Sequence, residues 1–243
     1  MWEDTHVEYP VYLINLLDRS DRLKTSTAIA EKHGIDFVRV NAVTKEHVSE
    51  EEIRFASAPV VACFRSHQLA YQCLLATNDK YALVLEDDYL PGIGFNLPSL
   101  LDLEDMGIDV LQLGFLHTTK IESINIALIN LRTITLRIIA FGAKIFPLGS
   151  ERILQKTLIA ELRSLPINVV ASDYRPGAHA YIVSRRAAEL LLEINDPVFL
   201  SADELLKSLS TMRTLRIARA FFSKVAQSNS ESSIKSRNRT LPN

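Results

Sequence analysis

Three consecutive carboxylates, Glu86, Asp87 and Asp88, are the residues of this chain whose chemistry is easiest to state. They follow residues 81–85, an uncharged and largely apolar run that is typical of a buried β-strand. Like charges held this close repel one another, so the cluster lowers stability unless a cation or hydrogen-bond donors offset the charge. Carboxylate oxygens suit Mg²⁺ or Mn²⁺, which keep coordination positions for diphosphate oxygens. The triplet therefore favours a divalent-metal site, and the alternative is a solvated acidic loop that holds no ion.

A second polar group follows the first predicted strand, residues 11–16. Asn15, Arg19 and Arg22 lie at or just after the end of this strand. Such side chains can contact the base, ribose or diphosphate of a nucleotide, and arginine binds phosphate in a bidentate manner. We therefore predict nucleotide binding by this loop. The alternative is a helix cap followed by ordinary surface arginines.

The elements that must position these residues form an α/β pattern. A strand at 11–16, a helix ending at His33-Gly34 and a strand at 37–43 make a βαβ unit, which indicates a parallel sheet with covering helices. In open α/β sheets ligands bind beyond the carboxyl ends of the strands, where the triplet would lie. Further along we predict helices at 60–77 and 185–194, a loop and helix within 197–210, and strands at 109–114, 178–184 and 215–222.

Composition is that of one folded catalytic domain. The chain has 243 residues, of which 47% are hydrophobic and 23% charged. Its two cysteines, Cys63 and Cys73, cannot build a disulfide framework, and the first residues do not resemble a secretory signal, so we expect a cytoplasmic protein. No glycine-rich phosphate loop is present in the sequence, which argues against a nucleotidyltransferase.

Two segments are predicted to vary around this domain, which we place at residues 1–222. Residues 115–165 are apolar but interrupted by Arg132, Arg137 and Lys144, which favours an amphipathic helical insertion over a membrane span. This insertion could pack on the core, bind an acceptor substrate or contact a membrane. Residues 223–243 form a basic tail that we expect to be mobile, and residues 205–243 carry a net charge of +7 within a chain of −2. We expect this basic end to meet an anionic membrane surface at the inner face rather than nucleic acid, the alternative being a solvated surface.

Four short blocks of the chain form a recognisable series. They are Val11-Tyr12-Leu13-Ile14-Asn15-Leu16 with Asp18, Arg19 and Arg22; Ala62-Cys63-Phe64-Arg65-Ser66-His67; Ala82-Leu83-Val84-Leu85-Glu86-Asp87-Asp88; and Gly177-Ala178-His179-Ala180-Tyr181-Ile182-Val183-Ser184. In this order they resemble glycosyltransferase family 25, the lipooligosaccharide galactosyltransferase-like group. A fainter likeness covers Ser201-Ala202-Asp203 and, in the tail, Gln227 with Ser233-Ile234. The resemblance omits residues 115–165.

The resemblance implies a GT-A-like fold with a Rossmann-like half that binds a nucleotide sugar. It also implies a UDP-sugar donor, a divalent cation (Mn²⁺ or Mg²⁺) and transfer with inversion. Asp88 would then ligate the metal directly, while Glu86 and Asp87 help to position ribose or metal-bound water, and Glu86 is counted with Asp88 as a metal residue. Asp203 would be the catalytic base, although it could equally cap a helix. His179 could contact diphosphate or metal, or only pack.

The function predicted is that of an inverting, metal-dependent hexosyltransferase. It would move a hexose, galactose being favoured, from a UDP-sugar to a bacterial surface glycan such as the lipopolysaccharide or lipooligosaccharide core. The alternative is a non-catalytic homologue that binds a sugar nucleotide or glycan. The intact triplet argues against that alternative.

Overall fold

The computed structural model describes residues 7–92, 95–116, 169–171, 173–221 and 223–228. Within them the strands are β1 Val11–Asn15, β2 Val38–Asn41, β3 Tyr81–Glu86, β4 Tyr89–Pro91, β5 Val110–Gln112, β6 Val169–Ala171, β7 Ala180–Ser184, β8 Ile217–Ala220 and β9 Val225–Gln227. The α-helices are α1 Ser20–Lys32, α2 Ala58–Leu75, α3 Leu100–Met106, α4 Arg185–Ile194 and α5 Ala202–Met212. Two single 3-10 turns, Lys45–His47 and Glu52–Arg54, precede α2.

Seven of these strands form one mixed sheet in the order β2-β1-β3-β7-β5-β8-β6. β1 is parallel to β2 and β3, and β5 is parallel to β8, whereas β7 and β6 run antiparallel to their neighbours. β4 and β9 form a separate antiparallel pair. The carboxyl ends of β1, β3, β5 and β8 therefore meet the amino end of β7 at one edge of the large sheet.

The first βαβ unit consists of a fully buried strand, a covering helix and a second strand that returns beside the first. All five residues of β1 are buried, as expected for an inner strand of a sheet covered on both faces. Gly34 follows α1 with φ of 63°, a left-handed conformation that glycine adopts readily after a helix. The chain then returns to form β2 beside β1, with Tyr12 paired to Val38.

β3 is the centre of the core because its side chains alternate between the two faces of the sheet. Ala82 and Val84 pack in the cluster that contains α2, α4 and α5, while Leu83 and Leu85 pack in the cluster that contains α3. None of the five residues before Glu86 exposes more than 8% of its surface. The end of β3 is thus fixed from both faces.

The predicted α/β fold, a GT-A-like, mostly parallel mixed sheet with covering helices, is confirmed. The predicted strands correspond to β1, β2, β3, β5, β7 and β8, and the predicted helices to α1, α2, α4 and α5. The sequence did not indicate β4, β6 and β9. Each has three residues, which is too short for an alternating pattern to be recognised.

The structure differs from the sequence prediction in the tail. Residues 223–243 were expected to be a mobile segment, but Val225–Gln227 forms β9 and pairs with β4 in the register Tyr89 to Gln227. Nothing in the sequence indicated this strand, because its three residues bury only one apolar side chain fully, that of Val225, which is too little for a recognisable pattern. Residues 229–243 and residues 117–168, which include most of the predicted insertion, lie outside the described residues. Among the helices that are described, none has both the length and the apolar character needed to span a membrane.

Candidate active site

The acidic triplet lies at the edge of the sheet where the parallel strands end. Glu86 is the last residue of β3, and Asp87 and Asp88 form the turn into β4. Ile14 of β1 is paired with Glu86, so Asn15, the last residue of β1, ends beside the triplet. The buried strand therefore delivers the three carboxylates to the edge that was predicted for ligand binding.

A cleft of about 280 Å³ opens over this edge. The β1–α1 loop, the segment after β2, one side of α2 and the triplet form its walls. The side chains lining it that can carry charge or bind a metal are Asp18, Arg22, Lys45, Glu46, Cys63, His67, Glu86, Asp87 and Asp88. The cleft thus combines both signs of charge with apolar walls, as small-molecule sites commonly do.

Asp87 is the fully bonded member of the triplet. Its Oδ2 accepts a hydrogen bond of 2.6 Å from the Asn15 amide, and its Oδ1 accepts one of 2.9 Å from the Arg22 guanidinium. Its backbone oxygen accepts from the Ser26 hydroxyl of α1 at 2.9 Å. These bonds tie the turn after β3 to the β1–α1 unit, so Asp87 positions the site and both of its carboxylate oxygens are engaged.

Asp88 has one carboxylate oxygen that is bonded and one that is not. Oδ2 accepts a hydrogen bond of 2.9 Å from the Gln227 amide and lies 3.6 Å from the Arg22 guanidinium. Oδ1 is buried without a hydrogen-bond partner among the described residues. Burial, and after it the charge of Glu86, raises the pKa of Asp88 to about 7. A buried carboxylate beside a second carboxylate, with one oxygen that makes no hydrogen bond to the described residues, fits a divalent cation. The charge of the cation would offset the cost of ionising Asp88 in this buried position.

Glu86 contacts the cleft and α2. Its Oε1 lies 3.3 Å from His67 Nε2, and about a quarter of its side chain is exposed. Burial by itself would raise the pKa of Glu86, but the hydrogen bond and charge of His67 outweigh it and lower the pKa. His67 is oriented in turn by a contact of 2.9 Å between its Nδ1 and the Tyr181 hydroxyl, which is bonded to the Tyr71 hydroxyl at 2.7 Å.

Of the predicted site residues, Asn15, Arg22, Glu86, Asp87 and Asp88 are brought together. Asn15 and Arg22 reach the triplet through Asp87 and so hold the turn; Arg22 also lines the cleft, whereas Asn15 does not.

The other three predicted residues do not line this cleft. Arg19 pairs with Asp21 at 2.8 Å on the surface. His179 is 1% exposed, and its Nε2 lies 3.2 Å from the backbone oxygen of Val225. Asp203 lies in the first turn of α5 and accepts a hydrogen bond of 2.6 Å from the Ser201 hydroxyl. Capping of α5 is done by Ser201 and Glu204 rather than by Asp203. Their roles in binding and catalysis stay predictions.

Three residues of the site were not predicted as such. Gln227 belongs to the segment assigned to the tail, yet it donates to Asp88. Cys63 and His67 were seen as part of a helix, and a histidine inside a helix is more often a packed core residue than a ligand. Their separation of four residues placed them on one side of α2, which was the available signal.

A mixed α/β sheet with carboxylates at the end of its central strand, beside a cleft with basic side chains, has the features of a nucleotide-sugar-binding glycosyltransferase. The family model described as glycosyltransferase family 25 (LPS biosynthesis protein) matches residues 8–206. The chain therefore belongs to glycosyltransferase family 25. A search of curated proteins found no match to the chain.

Proposed function

We propose that this glycosyltransferase moves a hexose, with galactose as the first candidate, from a UDP-sugar to a bacterial surface glycan such as the lipopolysaccharide core. The proposal rests on Asp88, which lines the cleft together with Arg22. Asp88 Oδ1 is buried and has no hydrogen-bond partner among the described residues. The family supports sugar transfer in lipopolysaccharide synthesis. UDP, galactose and inversion are the parts that we add.

Asp88 and Glu86 would hold the cation, Mn²⁺ or Mg²⁺. When bound, such an ion neutralises the charge that builds on the leaving diphosphate. Asp87 would not be a ligand, because Asn15 and Arg22 occupy its oxygens. The role of Asp87 is to hold the turn after β3 in the conformation that leaves Asp88 Oδ1 without a hydrogen-bond donor among the described residues. Arg22, 3.6 Å from Asp88, adds positive charge on the same side, which favours a diphosphate.

Inversion by direct displacement requires one base to take the proton of the acceptor hydroxyl. Asp203 is our candidate. Asp203 lies in the first turn of α5, and α5 packs in the same hydrophobic cluster as α2, one side of which lines the cleft. This supports a position for Asp203 on the same face of the sheet as α2.

We further propose that the protein works in the cytoplasm at the inner face of the membrane. The net charge of +7 in residues 205–243 supports attraction to anionic lipid, at about 1 kcal/mol for each basic side chain near the surface. Arg219 does not contribute to such a surface, since it is fully buried and paired with Asp173. A liposome sedimentation assay with and without residues 229–243 tests the part that the tail supplies. Equal binding by the two proteins would contradict it.

The test of the transferase is release of UDP. We would incubate the full chain with a panel of UDP-sugars and Mn²⁺, with and without a chelator. Release of UDP from one sugar that stops on chelation, and that Asp88→Asn abolishes, is the expected result. Asp105→Asn is the matched control, because Asp105 is exposed on α3, away from the cleft. Activity that survives Asp88→Asn or chelation would contradict the metal assignment.

The second candidate is a homologue that binds a sugar nucleotide without transferring the sugar. It is favoured by one observation, that Asp203 does not line the cleft that holds the triplet. Tight UDP binding without release, with every acceptor tried, would support this candidate over the transferase.

A further inference from the structure

Three different metal-ligating side chains converge in the cleft. The Sγ of Cys63, a ring nitrogen of His67 and a carboxylate oxygen of Glu86 all lie within 4.8 Å of one another. All three side chains line the cleft, which gives an ion a path from solvent. Asp88 is not a member of this group.

The group differs chemically from a magnesium site. Thiolate and imidazole are ligands that Zn²⁺ and related transition metals prefer, whereas Mg²⁺ and Mn²⁺ prefer oxygen. Two of the three side chains come from one helix, because Cys63 and His67 are separated by four residues and so share one side of α2. The third comes from the end of β3. Three protein ligands with an open cleft on the fourth side is the arrangement of zinc sites that keep one position for water or substrate.

The geometry is close to what a tetrahedral ion needs. Zinc bonds of about 2.0 Å to nitrogen and oxygen place those two ligand atoms about 3.3 Å apart at a tetrahedral angle. His67 Nε2 and Glu86 Oε1 are 3.3 Å apart. The sulfur must approach them by up to about 1.3 Å, which a modest rotation of the Cys63 side chain together with movement of the partly exposed Glu86 side chain can supply.

His67 also has the outer contact that metal-binding histidines have. A ligating histidine usually donates its other ring N–H to a nearby acceptor, which fixes the tautomer and the ring orientation. His67 Nδ1 lies 2.9 Å from the hydroxyl of buried Tyr181. A bound metal ion would replace the hydrogen bond between His67 and Glu86, with the proton of His67 on Nδ1 and the lone pair of Nε2 available to the ion.

From these contacts we propose that Cys63, His67 and Glu86 form a binding site for Zn²⁺ or a transition metal of similar preference. It is distinct from the Asp88 site and does not depend on the proposed transferase activity. Glu86 belongs to both sites. Zinc at this group therefore withdraws a ligand from the cation at Asp88, so the two sites compete.

Cobalt is the probe for this site, because Co²⁺ replaces Zn²⁺ and gives a charge-transfer absorption band when a thiolate is a ligand. Titration of the metal-free full chain with Co²⁺ is expected to produce this band at one equivalent. Cys63→Ser is expected to abolish it, and His67→Gln to weaken Co²⁺ binding at least tenfold. Cys73→Ser is the matched control, because Cys73 lies on the same helix but does not line the cleft. Excess Zn²⁺ should remove the band, since zinc binds such sites more tightly than cobalt.

Two further variants separate this site from the transferase and from a structural effect. Asp88→Asn should keep the cobalt band while it loses metal-dependent UDP release, so one proposal can fail without the other. Tyr181→Phe removes the outer acceptor and should weaken Co²⁺ binding about 10–100-fold. Circular dichroism checks that each variant folds. If His67→Gln does not fold, the comparison of Cys63→Ser with Cys73→Ser tests the site. The proposal is overturned if the unmodified chain shows no band, if the band persists in Cys63→Ser, or if zinc fails to displace cobalt.

Discussion

The two halves of the sheet carry polar side chains to the same edge and use them differently. In the parallel half, β2-β1-β3, the strand ends supply Glu86, Asp88 and the neighbouring Arg22, all of which line the cleft. In the mixed half, β7-β5-β8-β6, the corresponding polar residues are directed at backbone. The Gln112 amide donates at 2.7 Å to the backbone oxygens of both Arg175 and Gly177, and Arg219 bonds Asp173 and two backbone oxygens nearby.

The difference shows that a polar residue at the ligand edge is not necessarily a ligand. The segment before β7 has few apolar residues, so its backbone must be held by side chains from β5 and β8. His179 belongs to this second group, since its ring contacts the backbone of β9 and does not line the cleft. The strand ends that supply charged side chains to the cleft are therefore those of the parallel half, and polar side chains of the other half fix loops.

Arg22→Leu gives the largest effect expected, because it breaks the parallel half. Loss of the guanidinium leaves Asp87 buried with a charge that only Asn15 and water can offset. We expect the free energy of unfolding to fall by about 3 kcal/mol or more, as when one member of a buried ion pair is removed. Urea unfolding measures it. Arg19→Leu is the control, since its pair with Asp21 is exposed and should be worth less than about 1 kcal/mol. Equal losses in the two variants would contradict the role assigned to Asp87.

Gly114→Ala tests the mixed half. A Cβ at position 114 would lie against the His179 ring and 2.9 Å from the Val225 backbone oxygen, so His179 and β9 must both move. We expect the free energy of unfolding to fall by about 2 kcal/mol, as for an overpacked core. His179→Ala makes room for the methyl group, so the double variant should lose less than the sum of the single variants. Strictly additive losses would show that His179 is not what restricts position 114.

The sequence predicted the buried strands of the sheet better than it predicted the contacts of the candidate site. Apolar runs with clear breaks predicted β1, β3 and β7, because burial on both faces leaves a recognisable pattern, but they did not predict the order of the strands in the sheet. They could not predict the bond from Gln227 to Asp88, which joins residues 139 positions apart through a strand of three residues. Residue type also could not separate Arg22 from Arg19. Both follow β1, and only the turn of α1 decides which one faces Asp87.

Asp88→Asn is expected to raise the free energy of unfolding, whereas Arg22→Leu and Gly114→Ala are expected to lower it. The folded-state pKa of Asp88, about 7, is above its usual value of 3.8, so the folded protein retains this proton more strongly than the unfolded chain. Its contribution to stability is therefore greatest at low pH and is lost as pH rises from about 4 to about 7. In chelator at pH 8, asparagine avoids the buried charge and should raise the free energy of unfolding by about 1–2 kcal/mol, less than the roughly 4 kcal/mol to which the whole pKa shift corresponds, because relaxation of the site and entry of water lower the cost of the charge. At pH 4 the two proteins should be nearly equal. A variant less stable than the unmodified chain at pH 8 would contradict the electrostatic account of this carboxylate.

Gln227→Ala has the smallest expected effect and asks whether β9 serves the parallel half. The Gln227 amide holds Asp88 Oδ2, which leaves Oδ1 available to a cation. Without it the carboxylate can rotate, so we expect Mn²⁺ affinity to fall about tenfold, within the range seen when a ligand loses its supporting hydrogen bond. The measurement is titration with Mn²⁺, following the free ion by electron paramagnetic resonance. Ser228→Ala is the control, because Ser228 reaches Asp88 through its backbone N–H at 2.8 Å, which alanine keeps. If Gln227→Ala binds Mn²⁺ as tightly as Ser228→Ala does, then β9 stabilises the edge of the sheet without orienting the metal ligand.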